Sequence, residues 1–287
     1  MIPVSIRDAH VRQSFALEAD FFDSLRSLGV DSFELYARID GRLSALEGFS
    51  LRDVPSLKAK FESEQVRAAA IMLATNFSGP DAAAHVEWAI ETIHAAQQLG
   101  VPVVRIDTAT GAKLPVEEIR QNFVRCIRQV LAATEDTDVD LGIENHGHIS
   151  NDPAFLDGIF NDVPNARLGL TLDTGNFYWY GAPLDELYQT LKHFAPRARH
   201  THLKSIAYPP ETRDVRREKG WRYAELCCPI DEGDLDYRRI VQILRDAGYD
   251  SKPARTLCVE NEALPRFPLE ERADILRRDI AALRNAQ

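Results

Sequence analysis

Leu141-Gly142-Ile143-Glu144-Asn145-His146 is an apolar run that ends in a carboxylate and an imidazole. Two runs of the same form follow, Leu168-Gly169-Leu170-Thr171-Leu172-Asp173-Thr174-Gly175-Asn176 and His200-Thr201-His202-Leu203-Lys204. A fourth, Thr256-Leu257-Cys258-Val259-Glu260-Asn261-Glu262, lies further on. Short apolar runs bounded by turn signals read as buried parallel strands. A carboxylate or imidazole at the end of a buried strand is costly unless something pairs with it. Four such ends, offering Glu144, Asp173, His202 and Glu260, point to one shared partner, and a divalent cation satisfies all four.

Outward from this stretch the chain alternates. Strands are predicted at Ile2 to Ile6, Ser32 to Tyr36, Val66 to Leu73, Pro102 to Ile106, Leu141 to Glu144, Arg167 to Leu172, Arg199 to Lys204 and Thr256 to Glu260. Helical spacing of apolar residues fills the gaps. Ser14 is expected to cap a helix carrying Phe15, Leu17, Phe21, Phe22, Leu25 and Leu28. Further helices are expected at Asp53 to Phe61, Ala82 to Leu99, from Pro115 through Leu131, from Asp152 through Phe160, Pro183 to Phe194, Asp236 to Ala247 and Pro268 to Leu283. Leu28-Gly29-Val30 recurs as Leu99-Gly100-Val101 and more loosely as Ala247-Gly248-Tyr249, each a helix stop followed by a strand. Ile206 to Asp234 is the longest irregular stretch, a length that in a compact fold belongs to function or disorder. Eight strands alternating with helices, with no linker, give an α/β fold: a single (β/α)₈ TIM barrel over residues 1–287 as one domain. The competing open doubly wound sheet is disfavoured, because no glycine-rich phosphate fingerprint follows any strand.

Composition bounds the function. The chain has 287 residues, 45% of them hydrophobic, and a formal net charge of −10. That charge disfavours a sequence-independent nucleic-acid binder. No apolar run approaches the roughly 20 residues that span a bilayer. The four cysteines form no CxxC pair, and no charged-then-apolar leader opens the chain, so a reducing cytoplasm is expected.

In a barrel the strands' C-terminal ends form the active site, and the last four strands are consecutive around the ring. Three carboxylates and one imidazole suit Mn²⁺, Mg²⁺ or Co²⁺, with Zn²⁺ also admitted. No cysteine stands where a structural zinc site would need it. Such a cation stabilises the enediolate formed when a C–H proton is removed beside a carbonyl. Glu144 and Glu260 could then take and return the proton. His146 stands two residues past Glu144 and reads either as a hydroxyl ligand or as a rim histidine. Lys204 reads as an oxyanion partner or as a salt bridge to Asp173 or a loop acid. Arg105, at the end of the fourth strand, could reach an anionic group. His148 and His200 read as structural or surface.

These motifs resemble the xylose isomerase-like TIM barrels, which include sugar isomerases, D-tagatose 3-epimerase, hydroxypyruvate isomerase, inosose dehydratase and 3-dehydroshikimate dehydratase. The resemblance spans essentially the whole chain. It rests on Ile143-Glu144-Asn145-His146, Leu172-Asp173-Thr174-Gly175-Asn176, His202-Leu203-Lys204 and Val259-Glu260. Ser32-Phe33-Glu34-Leu35 and Asp231-Glu232-Gly233-Asp234-Leu235-Asp236-Tyr237 support it. It implies Glu144, Asp173, His202 and Glu260 as metal ligands, with the two glutamates also serving as the acid/base pair. The epimerases carry a histidine three residues after the aspartate; here that place is Asn176, which can bind a sugar hydroxyl but cannot titrate.

The expected activity is therefore a metal-dependent isomerase or epimerase on a small carbohydrate. A lyase of the same family is the alternative, sharing the first proton abstraction and then expelling a β-hydroxyl. An abasic-site endonuclease shares the barrel but needs a three-zinc cluster with more histidines, and the second and third strands supply none. A barrel that binds sugar without turnover would not need both Glu144 and Glu260. Self-association through the final helix or the helix before the last strand stays open.

Overall fold

Apolar runs too short for helices pair edge to edge, and each helix between them returns the chain to the same end of the sheet. The computed structural model describes residues 1–108, 113–252 and 254–287. Its strands are β1 (Val4–Arg7), β2 (Ser32–Tyr36), β3 (Arg67–Met72), β4 (Val103–Ile106), β5 (Asp140–Glu144), β6 (Leu168–Asp173), β7 (Ala198–His202), β8 (Ser205–Ile206), β9 (Cys227–Cys228) and β10 (Leu257–Val259). β8 and β9 form a separate antiparallel ribbon; the others make one parallel sheet in the order β10-β1-β2-β3-β4-β5-β6-β7. A bridge between Leu203 and Val259 joins its two edges. There the Leu203 N–H donates to the Cys258 carbonyl at 2.8 Å, and the Glu260 N–H to the Leu203 carbonyl at 3.0 Å. The fold is a single (β/α)₈ TIM barrel.

Register places the chemistry. Asp173 pairs with His202 across β6 and β7, and Ile143 with Leu170 across β5 and β6. Side chains alternate along a strand, so His200 and His202 share one face, their rings 5.6 Å apart. The expected helix over Ala82–Leu99 forms with those bounds. Gly29, Gly100 and Gly248 adopt φ of 76°, 74° and 76°, the left-handed conformation that the repeated helix-stop motif requires.

One expectation is corrected. Ser14 does not cap a helix; it ends one, Asp8–Ser14. The next helix is Phe21–Ser27, because the Asp20 carboxylate accepts from the N–H groups of Phe22 and Asp23 at 2.9 Å each. Leu17, placed by spacing on the apolar face, is 91% exposed between the two. Of the two readings of the Ile206–Asp234 segment, function or disorder, its contacts go against disorder. Arg217 lies between the Tyr178 and Tyr208 rings at 4.6 and 4.1 Å. Asp234 accepts from the Tyr178 hydroxyl at 2.9 Å and the Tyr208 N–H at 2.8 Å.

Asp279, in the helix Leu269–Asn285, ties this segment to the last strand. Its carboxyl accepts from the Ile230 N–H at 2.7 Å and from Asn261 Nδ2 at 2.6 Å. Burial pushes this carboxyl up to about 7, against those two donors. A folded-state value above the unfolded one means stability that is full below about pH 4 and lost as pH rises through 7. The expected loss from this group is on the order of 4 kcal/mol. Urea midpoints at acid and neutral pH should fall more steeply for the parent than for Asp279→Asn; parallel slopes would place the titration elsewhere.

Candidate metal centre and active site

The strand ends converge. Glu144, Asp173 and His202 are the last residues of β5, β6 and β7, and Glu260 directly follows β10. All four are at least 97% buried. One donor atom from each lies within 4.8 Å of the others. His202 Nδ1 is 3.3 Å from Glu144 Oε1 and 3.6 Å from Glu260 Oε2.

His202 is oriented from behind by Glu34, whose two oxygens both lie 2.9 Å from Nε2. Burial alone would raise the Glu34 carboxyl, but His202 and His200 hold it well below the usual carboxylate range. An ionised carboxylate only accepts, so Nε2 carries the proton. Nδ1 then faces the carboxylates, and among the described residues this fully buried nitrogen has no hydrogen-bond partner. A carboxylate behind a histidine is the usual way a protein aims a metal-binding imidazole.

Asp173 is fixed at three points. Its N–H donates to Asn145 Oδ1 and its carbonyl accepts from Asn145 Nδ2, each at 2.8 Å. Oδ1 caps the helix Thr174–Trp179 by accepting the Asn176 N–H at 2.7 Å. Asn176 Nδ2 then bridges Asp173 Oδ2 at 2.8 Å and Glu144 Oε1 at 3.2 Å. Gly175 is obligatory between them, since a Cβ there would collide with the Lys204 side chain.

Cations hold the outer oxygens. Arg105 pairs with Glu144 Oε2 and Arg7 with Glu260 Oε1. Lys204 Nζ lies 3.0 Å from Asp173 Oδ2 and 2.9 Å from Glu260 Oε2. These charges split the two acids. Burial lifts Asp173 to about 7, opposed by Lys204 and reinforced by Glu260. Burial also works against Glu260, but Lys204, His202 and Arg7 hold it well below the usual range. The pair is best read as sharing one proton, carried on Asp173. Three cations, Arg7, Arg105 and Lys204, face five carboxylates, Glu34, Asp107, Glu144, Asp173 and Glu260. With the Asp173 proton counted the excess is one negative charge, and with Asp173 ionised it is two, which a divalent cation taking that proton's place would neutralise.

The other expected residues divide. Lys204 meets Asp173, the contact that stood as the alternative to an oxyanion partner. Arg105 meets Asp107 at 2.6 Å as well as Glu144. His146 is not with the four candidate ligands: its ring is half exposed on the rim, 3.4 Å from Asp107 Oδ1. His200 is buried beside Glu34 at 3.4 Å. One cysteine also stands near the centre. Cys258, two residues before Glu260 and facing the same way, joins Glu34, His200 and His202 in a second group of potential donors. Burial raises its thiol well above the ordinary range, so it packs as a protonated side chain. Sequence reasoning missed Arg7 and the function of Glu34. The available signal was a glutamate inside the otherwise apolar Phe33-Glu34-Leu35.

Comparison with known proteins agrees with this architecture. A 95-residue stretch is 30% identical to inosose dehydratase of Klebsiella pneumoniae, covering 31% of this chain and 31% of that protein. The match thus spans about a third of that relative's length. The crystal structure of the IolI protein with a bound zinc atom superposes with a TM-score of 0.74 at 18% identity, over 100% of this chain and 99% of that one. The 3-keto-D-glucoside 4-epimerase of E. coli superposes with a TM-score of 0.71 at 14% identity, over 99% of this chain and 100% of that one. Residues 22–286 match the model of one family, and the chain belongs to it: the xylose isomerase-like TIM barrels.

Proposed function

We propose that the chain, acting as one catalytic domain, is a divalent-metal-dependent isomerase or epimerase of a small carbohydrate. The observation that carries this is Nδ1 of His202, unpartnered among the described residues and aimed at buried carboxyl groups that outnumber their cationic partners by two. Glu144, Asp173, His202 and Glu260 would hold the cation, and hard oxygen donors with one imidazole favour Mn²⁺, Mg²⁺, Co²⁺ or Zn²⁺. When bound, the cation supplies Lewis-acid polarisation of the substrate's carbonyl oxygen.

The chain's own residues supply the rest. Each glutamate has one oxygen locked by an arginine and the other turned to the centre, Glu144 through Oε1 and Glu260 through Oε2. Glu260, held ionised, accepts the C–H proton at Oε2. Glu144, entering the cycle protonated, delivers that proton from Oε1 to the neighbouring carbon or the opposite face, after which Glu260 releases its proton to solvent and Glu144 takes one up. Asn176 Nδ2 orients Glu144, and Lys204 offers positive charge to an oxygen that becomes anionic. Burial keeps water from that oxygen, which strengthens each charge–charge contact.

A dehydratase is the second reading, favoured by the inosose dehydratase likeness. It uses the same first step at Glu260, after which a proton donor assists departure of a β-hydroxyl. Incubating a panel of ketoses and inososes with Mn²⁺ separates the two: an isomer with unchanged absorbance supports the first, a dehydrated ultraviolet-absorbing product the second. No turnover across the panel with metal supplied would sink both.

Glu34→Gln tests the orientation of His202. It keeps the shape but weakens the acceptor behind Nε2, so metal affinity should fall about 10- to 100-fold. Calorimetric titration with Zn²⁺ checks this; unchanged affinity would mean that Glu34 serves packing alone.

A further inference from the structure

The Lys204 ammonium sits on oxygens that the metal reading assigns to a cation. Asp173 Oδ2 is 3.0 Å away and Glu260 Oε2 is 2.9 Å away. Both oxygens face the centre: Asn176 Nδ2 links the first to Glu144, and the second is 3.6 Å from His202 Nδ1. An ammonium and a divalent ion crowded onto two shared oxygens repel each other strongly in a buried site. A third carboxylate is within reach. Glu262 Oε2 lies 3.5 Å from the same ammonium, toward solvent, its side chain 38% exposed. Tyr223, from the long segment after β7, donates its hydroxyl to that same Glu262 oxygen. The root of Lys204 is fixed, since the Tyr237 hydroxyl donates to its carbonyl at 2.7 Å and Gly175 packs against its stem. Its flexible head is the part free to move.

We propose that Lys204 is a displaceable counter-ion. A divalent cation entering the centre drives the ammonium off Asp173 and Glu260 onto Glu262, which Tyr223 holds ready to receive it. Glu262 and Tyr223 are then positioning residues that set metal affinity without touching the metal. This rests on the metal reading above.

Mn²⁺ titrated calorimetrically into the metal-stripped full chain tests it, with circular dichroism confirming that each variant is folded. Glu262→Gln should weaken Mn²⁺ about 10-fold and Tyr223→Phe about 3-fold, while Lys204→Met tightens it about 10-fold. In a Lys204→Met background Glu262→Gln should have no further effect. Equal weakening in both backgrounds would make Glu262 a plain negative charge and overturn the exchange. Parent-like affinity in Glu262→Gln, or weaker affinity in Lys204→Met, would overturn it as well. A parent chain that binds no Mn²⁺ at millimolar concentration would instead sink the metal reading itself.

Discussion

Glu144→Gln should lower kcat by about 10²- to 10⁴-fold, the usual contribution of a placed acid or base. The amide keeps the length and planarity of the side chain, so the loss reports proton transfer more than packing. One ligand charge also disappears, and assays at saturating metal separate the two effects. Glu260→Gln should be at least as damaging, since Glu260 is the acid held ionised in the resting site. The double variant should be little worse than either single one, because the pair works as a unit. Solvent deuterium distinguishes the roles. With Glu260 intact, Glu144→Gln should still wash deuterium into recovered substrate while forming no product. Parent-like turnover in Glu144→Gln would remove the acid/base assignment altogether.

Chelation should be comparably severe. Dialysis against a strong chelator should bring turnover to background, and added divalent metal should restore it. A ligand that binds only the folded state, at one hundred times its dissociation constant, adds about 2.7 kcal/mol. For a chain of this size that raises Tm by roughly 4–5 °C. Activity and Tm both indifferent to chelator would leave the buried charge excess to protons alone and end the metal reading.

The parts of this site that were legible beforehand share a property. Glu144, Asp173, His202 and Glu260 each end an apolar run, so a strand assignment also assigns their place in the barrel. What stayed hidden depends on partners distant in sequence. Glu34 meets His202 across 168 positions and Arg7 meets Glu260 across 253, and no local periodicity records such pairs. Whether Lys204 would face an oxyanion or a neighbouring acid was equally undecidable, because that turns on where the stem lies against Gly175. The first helix was misplaced for a different reason. Ser14 and Asp20 are both good caps, and spacing alone does not rank two competing N-termini. His146 follows the same lesson: two residues past a strand end the alternation of faces no longer holds, so the ring sits on the rim.

The join between β7 and β10 gives the cluster a mechanical meaning. Among the described residues that join has one bridge with two backbone hydrogen bonds, at Leu203, Cys258 and Glu260, and the Thr201 hydroxyl, which donates to the Thr256 carbonyl and accepts from the Cys258 N–H. His202 stands on one lip of this seam and Glu260 on the other. Any ion gripping both works as a rivet, and a barrel without it would first gape along that line. Amide-exchange protection at Leu203 and Glu260 would thus act as a strain gauge for occupancy of the centre.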